Sequence, residues 1–178
     1  MSVRISPGGA VCCRAVLHLP LPAISVWGQL RDFHRYASQD FFHADLAIDG
    51  HIPQAGARLK LSHRFLGIRI QRLGRILIWR EGIGYSFSDL SQQGAKHGFP
   101  HIFSYRLEPT GEKNCRLHIT VRGKWTARRI PKWAGKLWLR WVFSHVVQKV
   151  ENQLLIYQLW RREMDAAATE AKKNGISS

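Results

Sequence analysis

Acidic residues are scarce in this chain. Asp and Glu number 12 against 27 Lys and Arg among 178 residues, a formal net charge of +15. Cysteine is scarcer still, with only Cys12, Cys13 and Cys115. An odd count with one adjacent pair argues against a disulfide framework, and no spacing resembles a zinc site. The expectation is a reducing compartment, and so a cytoplasmic protein. Long apolar runs are also missing. A membrane-spanning helix needs about 18 consecutive apolar residues. The nearest stretch, Trp138 to Val147, is broken by Arg140, Ser144 and His145. The N-terminus lacks the apolar core and small-residue cleavage site of a secretory signal. These absences predict a soluble protein that could still lie at a membrane periphery. There is no Gly-rich phosphate loop, no nucleophile–base–acid set and no His pair at metal-binding spacing on a helix. No catalytic residue, metal or cofactor is therefore assigned, and a non-enzymatic role leads.

The positive charge is unevenly spread. Between Asp49 and Glu81 there are seven basic side chains and no acid, and between Glu112 and Glu151 there are ten and no acid. A field of this sign attracts polyanions such as anionic lipid, nucleic acid or acidic partners.

Period and punctuation then organise the chain as one domain over 11–168, with 1–10 and 169–178 as flexible termini. Val11 to Leu19 reads as a strand, ended by Leu-Pro-Leu-Pro because proline cannot donate to a ladder. Pro22 suits a first helical turn, and Val26, Trp27, Leu30 and Phe33 follow at helical spacing. From Ala44 the period becomes two. RLKLSHRF (58–65) alternates cleanly; residues 68–80 alternate until Gly74, which reads as a bulge. Further strands are expected over 83–90, 99–107 and 116–125, the last two joined by a Pro-Thr-Gly-Glu turn. From Pro131 to about Ala168 no proline interrupts a helical stripe of Leu139, Val142, Phe143, Val146, Val150, Leu154 and Tyr157. The expected class is α+β: an antiparallel sheet of about six or seven strands on a long C-terminal helix, with one or two short helices after the first strand.

Two segments carry a family resemblance. Pro22, Val26-Trp27 and Leu30-Arg31-Asp32 look like the start of a characteristic first helix. YSFSDLSQQGAKHGFPHIFSYRLEPTGEKNCRLHITVRG (85–123) looks like a set of central strands: an Asp-bearing strand, a Gly-Phe entry, a His-bearing strand and an EPTG hairpin. Over roughly residues 12 to 160 the chain resembles the helix-grip superfamily, SRPBCC. That superfamily includes START lipid-transfer domains, aromatic polyketide cyclases and birch-pollen-allergen-like proteins; the bacterial ligand-binding members resemble it most. The resemblance implies a curved sheet wrapped around the long helix, a cavity between them and a hydrophobic ligand. It does not imply one function, since carriers, sensors and cyclases share the fold.

Pockets are mostly apolar with a few fixed polar groups. The candidate lining is therefore Leu61, His63, Phe65, Tyr85, Phe87, Asp89, Phe99, His101, Phe103 and Tyr105 from the strands, with Val142 and Val146 from the helix. Asp89 and His101 should lie on neighbouring strands. They either satisfy each other, as buried polar groups usually do, or contact a ligand. If the protein is a cyclase or dehydratase, they are its acid and base. Around the helix start, Trp133, Trp138 and Trp141 stand among Lys136 and Arg140. Tryptophan favours the headgroup level and cations favour an anionic leaflet, so these five are candidates for membrane contact. The rival readings are packing against the sheet and nucleic-acid binding. The latter ranks last, because no helix-turn-helix, zinc-finger or RNA-recognition signature is present.

Overall fold

A computed structural model describes residues 1–33, 43–50, 52–65, 68–89, 100–126 and 131–173. In chain order the elements are β1 (Ser2–Ile5), β2 (Ala10–Leu19), α1 (Ala23–Leu30), β3 (His43–Ile48), β4 (Arg58–Phe65), β5 (Ile68–Arg80), β6 (Gly84–Ser88), β7 (His101–Gly111), β8 (Asn114–Lys124) and α2 (Lys132–Lys173). All eight strands join one sheet in the order β1-β2-β8-β7-β6-β5-β4-β3. Every neighbouring pair is antiparallel. The chain thus has the expected α+β helix-grip architecture.

The sheet has one strand more than the pattern suggests. Ser2–Ile5 pairs along β2, with Val3 opposite Cys13 and Ile5 opposite Val11. Four residues before a Pro-Gly-Gly turn are too few to show a period, so this edge strand is silent in the sequence. The EPTG turn also shifts. The ladder continues to Gly111, with an irregularity between Pro109 and Gly111, and the reversal falls on Glu112-Lys113.

Alternation decides which face is buried. In β2 the odd residues Val11, Cys13, Ala15, Leu17 and Leu19 are buried, and in β8 Cys115, Leu117, Ile119 and Val121 face the same side. Strand β5 changes parity midway. Ile76 opposes Phe87, but beyond a register shift between Ile76 and Ile78 it is Trp79 that opposes Tyr85. The bulge therefore lies after Ile76 and not at Gly74. Gly74 answers a different need: a Cβ there would sit 2.0 Å from the Ser88 carbonyl oxygen and 2.8 Å from Leu61 Cδ1. Only glycine lets the end of β6 approach β5 this closely.

The inner sheet face meets both helices. Leu139, Phe143, Val146, Val147, Val150 and Leu154 of α2 join the same core as the strand residues. A helix of 42 residues is about 63 Å long. It crosses the sheet and continues past it: the last anchor is Gln158, whose Nε2 donates to the Pro20 carbonyl at 3.3 Å. Every residue from Leu159 to Glu170 is exposed. Trp27 of α1 and Phe33, three residues beyond its end, cap another part of the inner face with aromatic rings. Trp27 meets Trp79 at 5.5 Å and Phe33 meets Tyr85 and Phe87 at 5.2 and 5.4 Å, all edge to face. The Trp27 indole donates to Glu81 Oε1 at 2.7 Å, tying α1 to the β5–β6 turn.

Candidate functional site

Strand β6 stops at Ser88 and β7 starts at His101, so the ladder between them needs a terminus. Asp89 supplies it. Its N–H donates to the His101 carbonyl at 3.1 Å, and its Oδ1 accepts the His101 N–H at 2.6 Å. Its Oδ2 accepts from Arg72 Nη1 at 2.8 Å and lies 3.3 Å from His101 Nδ1. The carboxylate is wholly buried, and the His101 and Arg72 side chains are 5% and 12% exposed. An ionised carboxylate leaves water at a cost of several kcal/mol unless donors replace the solvent, and here a guanidinium and a backbone N–H do so.

Arg72 reaches this position because β5 before its bulge turns even residues inward; Arg72 opposes Leu61. Inspection of residues 68–80 alone cannot find it, because the parity change is invisible without the pairing partner. The Asp89–His101 contact was expected, and the mutual satisfaction of the two groups is what the structure contains.

The aromatic candidates lie next to this cluster on the same inner face. Phe103 stacks on Phe87 with centroids 5.6 Å apart, and Tyr105 meets Tyr85 at 5.3 Å. Tyr85 also stacks on Trp79 at 5.2 Å. Tyr85 is therefore packed under Trp27 and Phe33, and Phe87 under Phe33, whereas Phe103, directly opposite Phe87, lies between Tyr105 and His101 along β7. Leu61, Val142 and Val146 are buried. His63 and Phe65 lie within β4, with side chains outside the described set, and Phe99 lies outside the described residues.

The five helix-start candidates divide. Trp138 turns inward and packs edge to face on Trp125 at 6.0 Å. The Trp125 ring also lies over Gly135, where a Cβ would come within 2.7 Å of it. Trp133 and Trp141 face outward, 68% and 47% exposed, and Leu137 between them is 60% exposed. Lys136 and Arg140 are exposed beside them. The spacing of four residues puts Trp133, Leu137 and Trp141 on one ridge. Leu137 was missed in the sequence, although the same spacing could have found it.

Among the described residues, no group of three or more His, Cys, Asp or Glu side chains is placed to hold a metal ion. No helix among them is long and apolar enough to cross a membrane. Burial raises the thiol of Cys13 to about 12, with Cys12 beside it adding to the effect, and burial raises Cys115 as well. On the outer sheet face, Glu108 is held low by its hydrogen bond from His118 at 2.7 Å, with Arg116 and Arg106 assisting.

No protein-family model matches the chain, and no curated protein matches it in sequence. Solved structures do match in shape. A START superfamily protein from Mycobacterium smegmatis superposes with a TM-score of 0.63 at 14% identity, over 82% of this chain and 98% of that one. Ara h 8.0201 superposes with a TM-score of 0.59 at 13% identity, over 83% of this chain and 99% of that one. The di-domain ARO/CYC StfQ from the steffimycin biosynthetic pathway gives 0.63 at 12% identity, over 86% of this chain and 52% of that one. At such identities the likeness establishes the helix-grip fold that the sequence resemblance implied.

Proposed function

We propose that the protein binds a small apolar or amphipathic molecule between the inner sheet face and α2, and exchanges it at an anionic membrane surface. One observation carries the reading: among the described residues the inner face is apolar and aromatic, and the one charged cluster on it, Arg72–Asp89–His101, sits at one end. An apolar body would lie along Phe103, Leu61, Val142 and Val146, gaining about 25 cal/mol per Å² of surface removed from water. A polar end would meet Arg72 or His101. Tyr85, Phe87 and Tyr105 form the aromatic floor of the site. Two of the solved structures that match in shape are a START superfamily protein and an ARO/CYC protein, which is compatible with such a ligand.

The membrane half of the reading is supported by the Trp133–Leu137–Trp141 ridge with Lys136 and Arg140 beside it. Residues 132–150 contain no acid. Such a ridge places aromatic rings at the headgroup level and cations against anionic lipid.

The test is organic extraction of the purified protein followed by mass spectrometry, together with binding of an environment-sensitive apolar fluorophore. A co-purifying apolar molecule that competes with the fluorophore is the expected result. Absence of both a bound molecule and fluorophore binding would remove the reading. The runner-up is a cyclase or dehydratase in which Asp89 orients His101 as acid or base; the 3.3 Å contact favours it. It requires turnover of an aromatic polyketide-like substrate that is lost in His101→Ala.

A further inference from the structure

The ligand site and the helix ridge leave most of the +15 charge without a role. The register of the strands shows where it goes. Residues directly opposite each other in antiparallel strands share a face, so the outer face can be followed rung by rung. One rung runs Cys12, Arg122, Ile102, Ser88, Arg75, Arg58 across β2, β8, β7, β6, β5 and β4. Another runs Val16, His118, Arg106, Gly84, Arg80. Arg14, Lys60, Arg116 and Lys124 lie on the same face, all exposed. Its one acid among the described side chains of these strands is Glu108, already engaged by His118 and Arg116.

Two features make this more than a solvated surface. Arg58 and Arg75 are direct cross-strand neighbours, like charges whose repulsion a bound anion would relieve. The outer face of β6 carries only Gly84, Ser86 and Ser88, small residues that are themselves buried, so the side chains reaching solvent beside it are Arg75 and Arg80 of β5 and Arg106 of β7.

We infer that this outer sheet face binds the phosphate backbone of single-stranded nucleic acid. The cations are predominantly arginine, whose planar fork matches phosphate oxygens two at a time and whose plane also stacks on bases. Val16, Leu73 and Ile78 are 44%, 61% and 48% exposed among them. They offer apolar contact to unstacked bases, which a duplex keeps inside its own stack. No aromatic side chain is exposed on this face among the described residues, so contact is through backbone charge and is indifferent to sequence. The face lies on the opposite side of the sheet from α2, so a membrane engaged by the helix ridge leaves it open.

The experiment is fluorescence anisotropy of a labelled single-stranded 20-mer titrated with the full chain at several salt concentrations. Binding at low salt should weaken steeply as salt rises, with a log–log slope of about −0.7 per phosphate contact. Arg75→Gln with Arg122→Gln should weaken binding at least tenfold and flatten that slope by about 1.4, two contacts' worth. Arg75→Lys with Arg122→Lys should restore most of the charge-driven affinity, and Trp133→Ala should leave binding unchanged. Circular dichroism reports whether each variant folds; because Arg75, Arg122 and Trp133 are all exposed, they should. The inference is overturned by absence of binding at low salt, by equal or tighter binding of duplex or of polyglutamate, or by folded glutamine variants that keep full affinity. It is overturned too if those variants lose anionic-vesicle binding while oligonucleotide binding is unaffected.

Discussion

Asp89 and His101 exchange two hydrogen bonds across the ends of β6 and β7, one through the Asp89 main chain and one through its carboxylate. The same carboxylate holds Arg72. Asp89→Ala therefore removes the ladder terminus and leaves a guanidinium without its counter-charge. A loss of about 3–5 kcal/mol is expected, as for one partner of a buried pair. Asp89→Asn keeps an acceptor for the His101 N–H and should lose clearly less. Urea denaturation of both variants decides; equal stability of Asp89→Ala and the parent would contradict the geometry.

Gly74 and Gly28 make opposite predictions for the same substitution. At Gly74 an alanine Cβ meets the Ser88 carbonyl at 2.0 Å, whereas at Gly28, on the exposed side of α1, nothing lies within 4 Å. Gly74→Ala should destabilise by about 1–3 kcal/mol or more, through forced backbone movement. Gly28→Ala should stabilise by about 0.5–1 kcal/mol. Thermal denaturation of the pair gives both signs in one measurement.

Trp27 is buried, rings Trp79 and Tyr85, and donates to Glu81. Its replacement by alanine should cost about 3–5 kcal/mol. Replacement by phenylalanine keeps much of the ring packing and loses the indole hydrogen bond, worth about 1 kcal/mol. Stabilities that rank Trp27→Ala above Trp27→Phe would sink the account of α1 as an aromatic cap.

The thiols should differ in reactivity. Cys12 is half-exposed, while Cys13 and Cys115 are buried with raised thiol pKa values. At pH 8 an alkylating reagent should modify Cys12 in the folded protein and reach all three only in denaturant, as peptide-mass mapping can show. The linkage has a definite sign. In the unfolded chain Cys13 loses its proton near its ordinary value of 9.0, but folded it holds the proton to about 12. The folded state binds more protons in that window, so stability falls as pH rises from 9 towards 12. Cys13→Ala should flatten that decline.

Lys136 beside the Trp133–Leu137–Trp141 ridge should contribute about 1 kcal/mol to binding of anionic vesicles, or about fivefold in affinity. Lys136→Gln should show this loss at low salt and little of it at high salt. Trp133→Ala should weaken binding at both. Vesicle flotation that is indifferent to all three ridge positions would remove the membrane contact.

Much of the fold was legible because burial on one face writes a period of two into a strand and 3.6 into a helix. The stripe Leu139, Val142, Phe143, Val146, Val150, Leu154 and the odd residues of β2 are such records. Asp89 and His101 could be paired because each continues the inward parity of its own strand. Arg72 could not, since a register shift after Ile76 is a property of two strands. Nor could the inward turn of Trp138, which depends on Trp125 meeting the helix at Gly135.

By itself the sequence determined the element order from β2 onward, the inward residues of each regular stretch and the large positive charge, all of which follow from local periodicity and composition. Tertiary structure alone decided that Arg72 closes on Asp89, that Trp27 and Phe33 cover Tyr85 and Phe87, and that arginines distant in the chain share one outer face. Those are outcomes of strand register, and register is set between segments rather than within them.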